Sequence, residues 1–338
     1  ANLRAATEYQ KALAALTTAA QICPQQATIY SFRGKIQLSL NAATASLADF
    51  QRAFTLEPSP IRRAESLGQI GRIHQRAGQM TEAVAAYDRS LAANPDDKDV
   101  IRLRAEALLA LGQNDEAIAG FTAYLEKAGP VGDVYRARGL AFAQQKKYRE
   151  AINDYTMSLQ YEPSPNMLTR RGWAYLLEAN KLAKEDFEEA VRLNPQNPDS
   201  YQGLAFAMVM LGDHAGAVAE IEKIVAATKK TTAQLGPRSW PLYFNPATVY
   251  AQAYAKVLVD PKLTPERRDD LAKEYAARAI ELLSEAHQLA GPAMQPIFAQ
   301  TLRADSALDP IRQHPEYLKA LKSLDPDSAL KDDNPNPK

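Results

Sequence analysis

Apolar positions along the chain recur at helical spacing in short runs, and the runs come in pairs. The segment Tyr148 to Leu159, YREAINDYTMSL, sets Ala151, Ile152, Tyr155 and Leu159 on one helix face. Prolines punctuate these runs at Pro24, Pro58, Pro95, Pro130, Pro163 and Pro195, in steps of 34, 37, 35, 33 and 32 residues. Some 12 or 13 residues before each proline stands a small residue: Ala12, Ser46, Ala83, Ala117, Ala151 and Ala183. Four residues after each small residue comes a larger apolar one: Leu16, Phe50, Tyr87, Phe121, Tyr155 and Phe187. Ahead of the small residue a glycine recurs at Gly34, Gly71, Gly139 and Gly172, and a second glycine marks a turn at Gly78, Gly112 and Gly212.

Each mark has a steric reason. A small residue lets one helix approach its partner closely, and the aromatic four positions on lies on the same face and fills the gap to the neighbour. A turn glycine takes positive φ and ends the first helix. Proline cannot continue a helix interior, so it closes the second helix. The chain is therefore expected to fold as helical hairpins near 27–60, 64–96, 98–130, 132–164, 165–197 and 198–229, with residues 1–25 the second helix of a shortened unit. The third unit has Ala105 where the glycine is expected, and the sixth lacks its closing proline.

This pattern resembles the tetratricopeptide repeat, a two-helix unit of about 34 residues. The resemblance implies an all-α, right-handed solenoid of about seven hairpins with a C-terminal helical cap. The expected organisation is an array over 1–229, a proline-rich loop over 230–246 that exposes Trp240, a degenerate terminal hairpin and cap over 247–324, and a disordered tail over 325–338. Within the terminal part, Ala247 to Val259 reads as a first helix and Pro265 to Leu289 as a second, N-capped by Thr264. Short helical patterns over 296–324, broken by Pro310 and Pro315, read as the cap.

The segments RRGWAYL (Arg170 to Leu176), DFEEAVRLNPQNPDSYQGLAFA (Asp186 to Ala207) and MLGDHAGAVAEIEKIV (Met210 to Val225) resemble the repeat tails of large planctomycete-type bacterial serine/threonine protein kinases. So do NPATVYAQAYA (Asn245 to Ala255), YAARAIELLSEA (Tyr275 to Ala286) and the closure Asp305, Leu308, Asp309, Pro310, Ile311, Arg312, Pro315, Tyr317. That likeness implies the interaction arm of a signalling protein. No kinase catalytic motif is present in this sequence, and GQIGRI at Gly68 to Ile73 falls inside an expected helix and not in a phosphate loop. The first residue is Ala1, and the chain reads as a fragment or a processed form.

Composition narrows the chemistry. Lys plus Arg and Asp plus Glu balance at 40 each, without the basic excess of a nucleic-acid binder. No apolar run reaches the ~18–20 residues that span a bilayer. Cys23 is the single cysteine, so neither an internal disulfide nor a cysteine-rich zinc site can form. His74, His214, His287 and His314 are scattered, and His214 takes an aromatic position of the repeat. Glu188/Glu189, Arg267/Arg268 and Lys229/Lys230 read as solvated helix faces. No nucleophile elbow appears, and neither a metal nor a cofactor is expected.

The resemblance places the first helix of each unit on a concave groove. Alignment on the glycine and turn positions puts Lys35, Arg72, Gln75, Arg76, Arg102, Glu106, Arg136, Leu140, Gln144, Trp173 and Phe206 there. Arginine pairs bidentately with carboxylates and packs on aromatics, so the run Arg72, Arg76, Arg102 and Arg136 suggests an extended acidic or C-terminal peptide. The alternative is that these arginines pair internally, with Glu65, Glu106 or Asp133. The Lys, Asn and Arg set by which chaperone-binding repeats clamp a terminal carboxylate is not met, since Lys35 and Arg72 stand in two of the slots. The expectation is thus a non-catalytic protein- or peptide-binding scaffold, with self-assembly into homo-oligomers as the other reading. The compartment stays open, with the cytoplasm as default.

Overall fold

The computed structural model describes residues 3–176, 178–231 and 234–325. The described residues are helical and turn, without a strand. The chain divides into two compact units, 1–163 and 164–338. The first holds α1 (Leu3–Ile22) and four hairpins: α2 (Ala27–Ser39) with α3 (Ala43–Leu56), α4 (Pro60–Arg76) with α5 (Met80–Ala93), α6 (Lys98–Ala110) with α7 (Asn114–Ala128), and α8 (Gly132–Gln144) with α9 (Tyr148–Tyr161). The second holds α10 (Pro165–Tyr175) with α11 (Asn180–Leu193), α12 (Pro198–Met210) with α13 (His214–Thr231), α14 (Pro241–Leu258) with the long α15 (Pro265–Ala304), and α16 (Pro315–Leu324). Within each unit every helix packs on the next.

The expected sequence marks sit where the steric argument puts them. Ser46, Phe50, Ala83, Tyr87, Ala117, Phe121, Ala151, Tyr155, Ala183 and Phe187 are all buried. Ala12 and Leu16 on α1 are only half-buried. The first helices α2, α4, α6, α8 and α12 end in Schellman turns: after α4, for example, Gly78 takes φ +77°, its N–H reaches Gln75 O at 3.1 Å, and the Gln79 N–H reaches His74 O at 2.9 Å. Asn41 and Lys146 adopt the same left-handed conformation after α2 and α8, where glycine is absent. The helix-to-helix approach is tight. A Cβ on Gly71 would stand 2.4 Å from the Tyr87 ring, and one on Gly203 would stand 2.1 Å from the Phe187 ring. In the third hairpin the missing glycine moves to the partner helix: Gly120 on α7 faces Ala105, and a Cβ there would come within 2.8 Å of the alanine methyl.

The region expected as a loop differs. Helix α13 continues to Thr231, a 3-10 turn covers Pro237–Ser239, and α14 already starts at Pro241. Pro241 occupies the first helical position, where a missing N–H loses no bond, and Pro246 inside α14 forgoes one bond. The expected second helix starts as read, with Thr264 Oγ1 accepting the Arg267 N–H at 3.3 Å. It runs further than expected, to Ala304, with a break at Gly291 (φ 58°, ψ −179°). His214 is buried at the head of α13, its ring nitrogens 3.3 Å from the Tyr275 hydroxyl and 3.1 Å from Asp260 Oδ2.

The closure residues act as a cap with identifiable chemistry. Asp305 accepts the Ala307 N–H at 2.9 Å and opens a 3-10 turn over Ser306–Ile311, which buries Leu308 and Ile311. The Arg312 guanidinium donates to the carbonyls of Leu302, Arg303 and Asp305 at 3.1, 2.9 and 2.9 Å, satisfying the orphan acceptors at the end of α15. Asp325, expected at the start of the tail, is buried and paired with Arg303 at 3.1 Å. The rest of the expected disordered tail, 326–338, lies outside the described residues.

This packing predicts that Gly203→Ala, which drives a methyl into the Phe187 ring, lowers stability by about 1–3 kcal/mol. Gly236→Ala, with open space around it, should stay within about 0.5 kcal/mol. Urea midpoints of the two variants, and of Gly203→Ala combined with Phe187→Leu, check this. The combination should recover part of the loss.

Candidate functional site

The first-helix face of residues 1–163 carries a cluster built around one hydroxyl. Tyr87 projects from α5 beneath Gly71, and its hydroxyl donates to Gln75 Oε1 on α4 at 2.7 Å. With that oxygen engaged, the Gln75 amide nitrogen remains as a donor. Burial pushes the Tyr87 hydroxyl well above the usual phenol range. Arg72, Arg102 and Arg76 oppose that shift and Glu106 reinforces it, so all four charges lie within electrostatic reach of this hydroxyl. Five of the residues expected in the groove, Arg72, Gln75, Arg76, Arg102 and Glu106, are thus brought together on α4 and α6.

The internal-pairing alternative holds for part of the set. Arg102 pairs with Glu106 at 2.7 Å and Arg136 with Asp133 at 3.1 Å. Arg72 has Asp99 at 3.8 Å, with the aspartate side chain 68% exposed. Arg76 is exposed and forms no ion pair among the described residues. Lys35 stands elsewhere, over the Phe32 ring at 5.6 Å, in a hollow of about 300 Å³ shared with Tyr9, Leu16 and Ile36. Arg136 and Gln144 are exposed on α8, and Leu140 between them is half-buried.

In residues 164–338, Trp173 and Phe206 meet. Their ring centroids are 6.1 Å apart, and Trp173 also lies edge-on to Phe187 at 5.4 Å. The Trp173 indole donates to Asp199 Oδ1 at 3.2 Å. Asp199 is exposed as a residue, but partial desolvation of its carboxyl pushes it above the usual carboxylate range, opposed by the indole hydrogen bond and by Arg170. Trp240 is no exposed anchor. It is 7% exposed and packs edge-to-face with Phe244 and Phe298 at 5.2 and 5.4 Å, because the helical start at Pro241 turns it into the core.

One feature went unread in the sequence. Bidentate pairs between half-buried arginines and buried aspartates join the two helices of three hairpins: Arg33 with Asp49, Arg138 with Asp154, and Arg171 with Asp186. Each arginine precedes a helix-packing glycine, and each aspartate precedes the buried aromatic. The signal was an Arg-Gly step followed 15 or 16 residues later by an Asp-aromatic step. Each arginine also lies over an aromatic ring: Tyr30 at 5.3 Å, Tyr135 at 5.6 Å and Tyr175 at 5.8 Å. Side-chain hydrogen bonds to the aspartates raise all three guanidinium pKa values further, against the opposing effect of burial. These arginines hold the hairpins together, whereas Arg72, Arg76 and Arg102 face outward.

Known proteins agree with this architecture. Family models of the tetratricopeptide repeat match residues 69–133 and 174–235. A tetratricopeptide repeat protein from Parabacteroides merdae ATCC 43184 superposes with a TM-score of 0.55 at 17% identity, covering 82% of this chain and 97% of that one. YrrB, described as a TPR protein with an unusual peptide-binding site, superposes with a TM-score of 0.50 at 19% identity, covering 55% of this chain and 95% of its own. The human protein O-mannosyl-transferase TMTC1 is 22% identical over 196 residues, 56% of this chain. The match spans only 22% of the length of that relative. The chain has the all-helical, hairpin-stacking fold of tetratricopeptide-repeat proteins.

Among the described residues no group of three or more His, Cys, Asp or Glu side chains could hold a metal ion. No described helix is long and apolar enough to cross a membrane.

The interhelix pairs generate a prediction. Asp154→Ala leaves the Arg138 guanidinium with Thr122 Oγ1 alone and should lower stability by about 2–4 kcal/mol. The double variant Arg138→Met/Asp154→Leu should recover most of that loss, because it removes both charges together. Thermal unfolding followed by circular dichroism measures both. Equal losses in the single and double variants would contradict the pairing role.

Proposed function

We propose that this chain is a non-catalytic protein-interaction scaffold whose first-helix face, at Arg72, Gln75, Arg76 and Arg102, holds an extended acidic peptide. The observation that carries the reading is the convergence of three arginines from the first helices of two successive hairpins, α4 and α6, around the Tyr87–Gln75 hydrogen bond. Against them stand two carboxylates, Asp99 and Glu106, which leaves an excess of one positive charge. Exposed ion pairs contribute only about 0–1 kcal/mol each, so an arriving carboxylate can replace Asp99 at Arg72 at little cost. Arg76 offers its guanidinium directly, and the Gln75 amide adds a donor for a peptide carbonyl.

The closure Asp305 to Tyr317 supports a finer reading of context, that the scaffold serves as the arm of a signalling protein of the serine/threonine kinase type. A kinase catalytic domain encoded on the same polypeptide is what that reading requires. A coding sequence without one would remove it.

For the binding site, fluorescence anisotropy with a fluorescein-labelled, glutamate-rich decapeptide is the test. The double variant Arg76→Glu/Arg102→Glu should weaken binding by about tenfold or more. Binding by the unaltered protein should weaken as salt rises, as expected for exposed charges. Failure of the unaltered protein to bind, or equal binding by the double variant, would contradict the reading.

A further inference from the structure

Residues 164–338 hold a second pocket, of opposite charge, that the acidic-peptide reading does not use. It lies between the N-terminal turns of α12 and α14 over α13, with a volume of about 100 Å³. Ile221 and Ile224 of α13 and Leu242 of α14 supply apolar lining. Gln202 and Asn245 supply amides, and Asp199 is the one charged side chain in the lining. Arg170 lies within electrostatic reach of Asp199 but forms no ion pair with it among the described residues. The carboxylate is oriented from behind, because Trp173 donates its indole N–H to Oδ1 at 3.2 Å. Trp173 is itself held between Phe187 and Phe206.

We propose that this pocket takes a lysine side chain of a bound polypeptide. The charge complementarity is direct: a lone carboxylate at an apolar recess attracts a cation carried on an aliphatic stem. The volume admits a single unbranched side chain and not a helix or a strand. The choice of lysine over arginine follows from the oxygens. Oδ1 is engaged by the indole, so a planar guanidinium cannot take both carboxylate oxygens without competing for that bond. A compact ammonium needs only Oδ2 and can place its other protons on the amide oxygens of Gln202 and Asn245. The four-carbon stem then lies along Ile221, Ile224 and Leu242, as lysine stems do on apolar surface.

The site belongs wholly to residues 164–338, and the inference does not rest on the arginine cluster. It is tested on the whole chain by nitrogen-15 TROSY spectra. The reporter is the Trp173 indole N–H, assigned by its loss in Trp173→Phe. Titration with Nα-acetyl-lysinamide should shift that signal saturably. Nα-acetyl-norleucinamide, with the stem but no charge, should leave it in place, and Nα-acetyl-argininamide should bind more weakly than the lysine compound. Asp199→Asn should lower the lysinamide affinity by about tenfold or more. Gln202→Lys, which tethers an ammonium three residues along the same helix face, should abolish the response by filling the pocket from within. An equal shift with norleucinamide would make the pocket merely an apolar hollow and overturn the proposal. So would a lysinamide response unaffected by Asp199→Asn, or the absence of a saturable shift up to about 50 mM.

Discussion

Everything in this molecule depends on how closely the two helices of a hairpin can approach. The approach is set by a residue with little or no side chain on one helix facing an aromatic ring on the other, as at Gly71 beneath Tyr87 and Gly172 against Phe187. A methyl group at either glycine would overlap the ring, so the interhelix distance admits almost no change in volume. The third hairpin shows that distance, and not any one residue, is what is maintained. Ala105 takes the glycine position on α6, and Gly120 on α7 restores the space. Once each hairpin is this tight, each helix buries one face against its neighbours and keeps another exposed.

That division of labour sorts the charged residues. Arg33, Arg138 and Arg171 sit next to the packing glycines and turn inward to aspartates that precede the buried aromatics. Such pairs are weak evidence for net stability, but they are expensive to break singly, and they register one helix against the other. Arg72, Arg76 and Arg102 stand on first helices and reach outward. The distinction also explains Tyr87. Its ring does the packing of a phenylalanine while its hydroxyl passes through to the first-helix face and orients Gln75.

Most of the hairpin framework was legible because its determinants are short-range and steric. The closing prolines, turn glycines and small-to-aromatic spacings mark helix ends and contact faces directly. The start of the long α15 at Thr264 and Pro265 was legible for the same reason. What was misread depended on partners distant in the chain. Trp240, in a proline-rich setting, resembles an exposed side chain until Phe298 arrives to cover it. The prolines around it resemble a loop until Pro241 is seen to occupy a first helical position, where it breaks nothing. Of the expected groove residues, those on α4 and α6 lie near one another around Tyr87, while Lys35 lines a different hollow. Asp199 escaped notice because an acid in the first turn of a helix already has a sufficient reason in the helix dipole.

Tight hairpins repeated along the chain, with first-helix faces left exposed, are what the binding surfaces require. Amide hydrogen exchange read by mass spectrometry across the whole chain tests that requirement most directly. The slowest exchange should recur once per hairpin, in the second-helix segments 46–50, 83–87, 117–121, 151–155 and 183–187, where the small and aromatic residues are buried. Protection confined to residues 241–311, with rapid exchange through the hairpins before them, would contradict it.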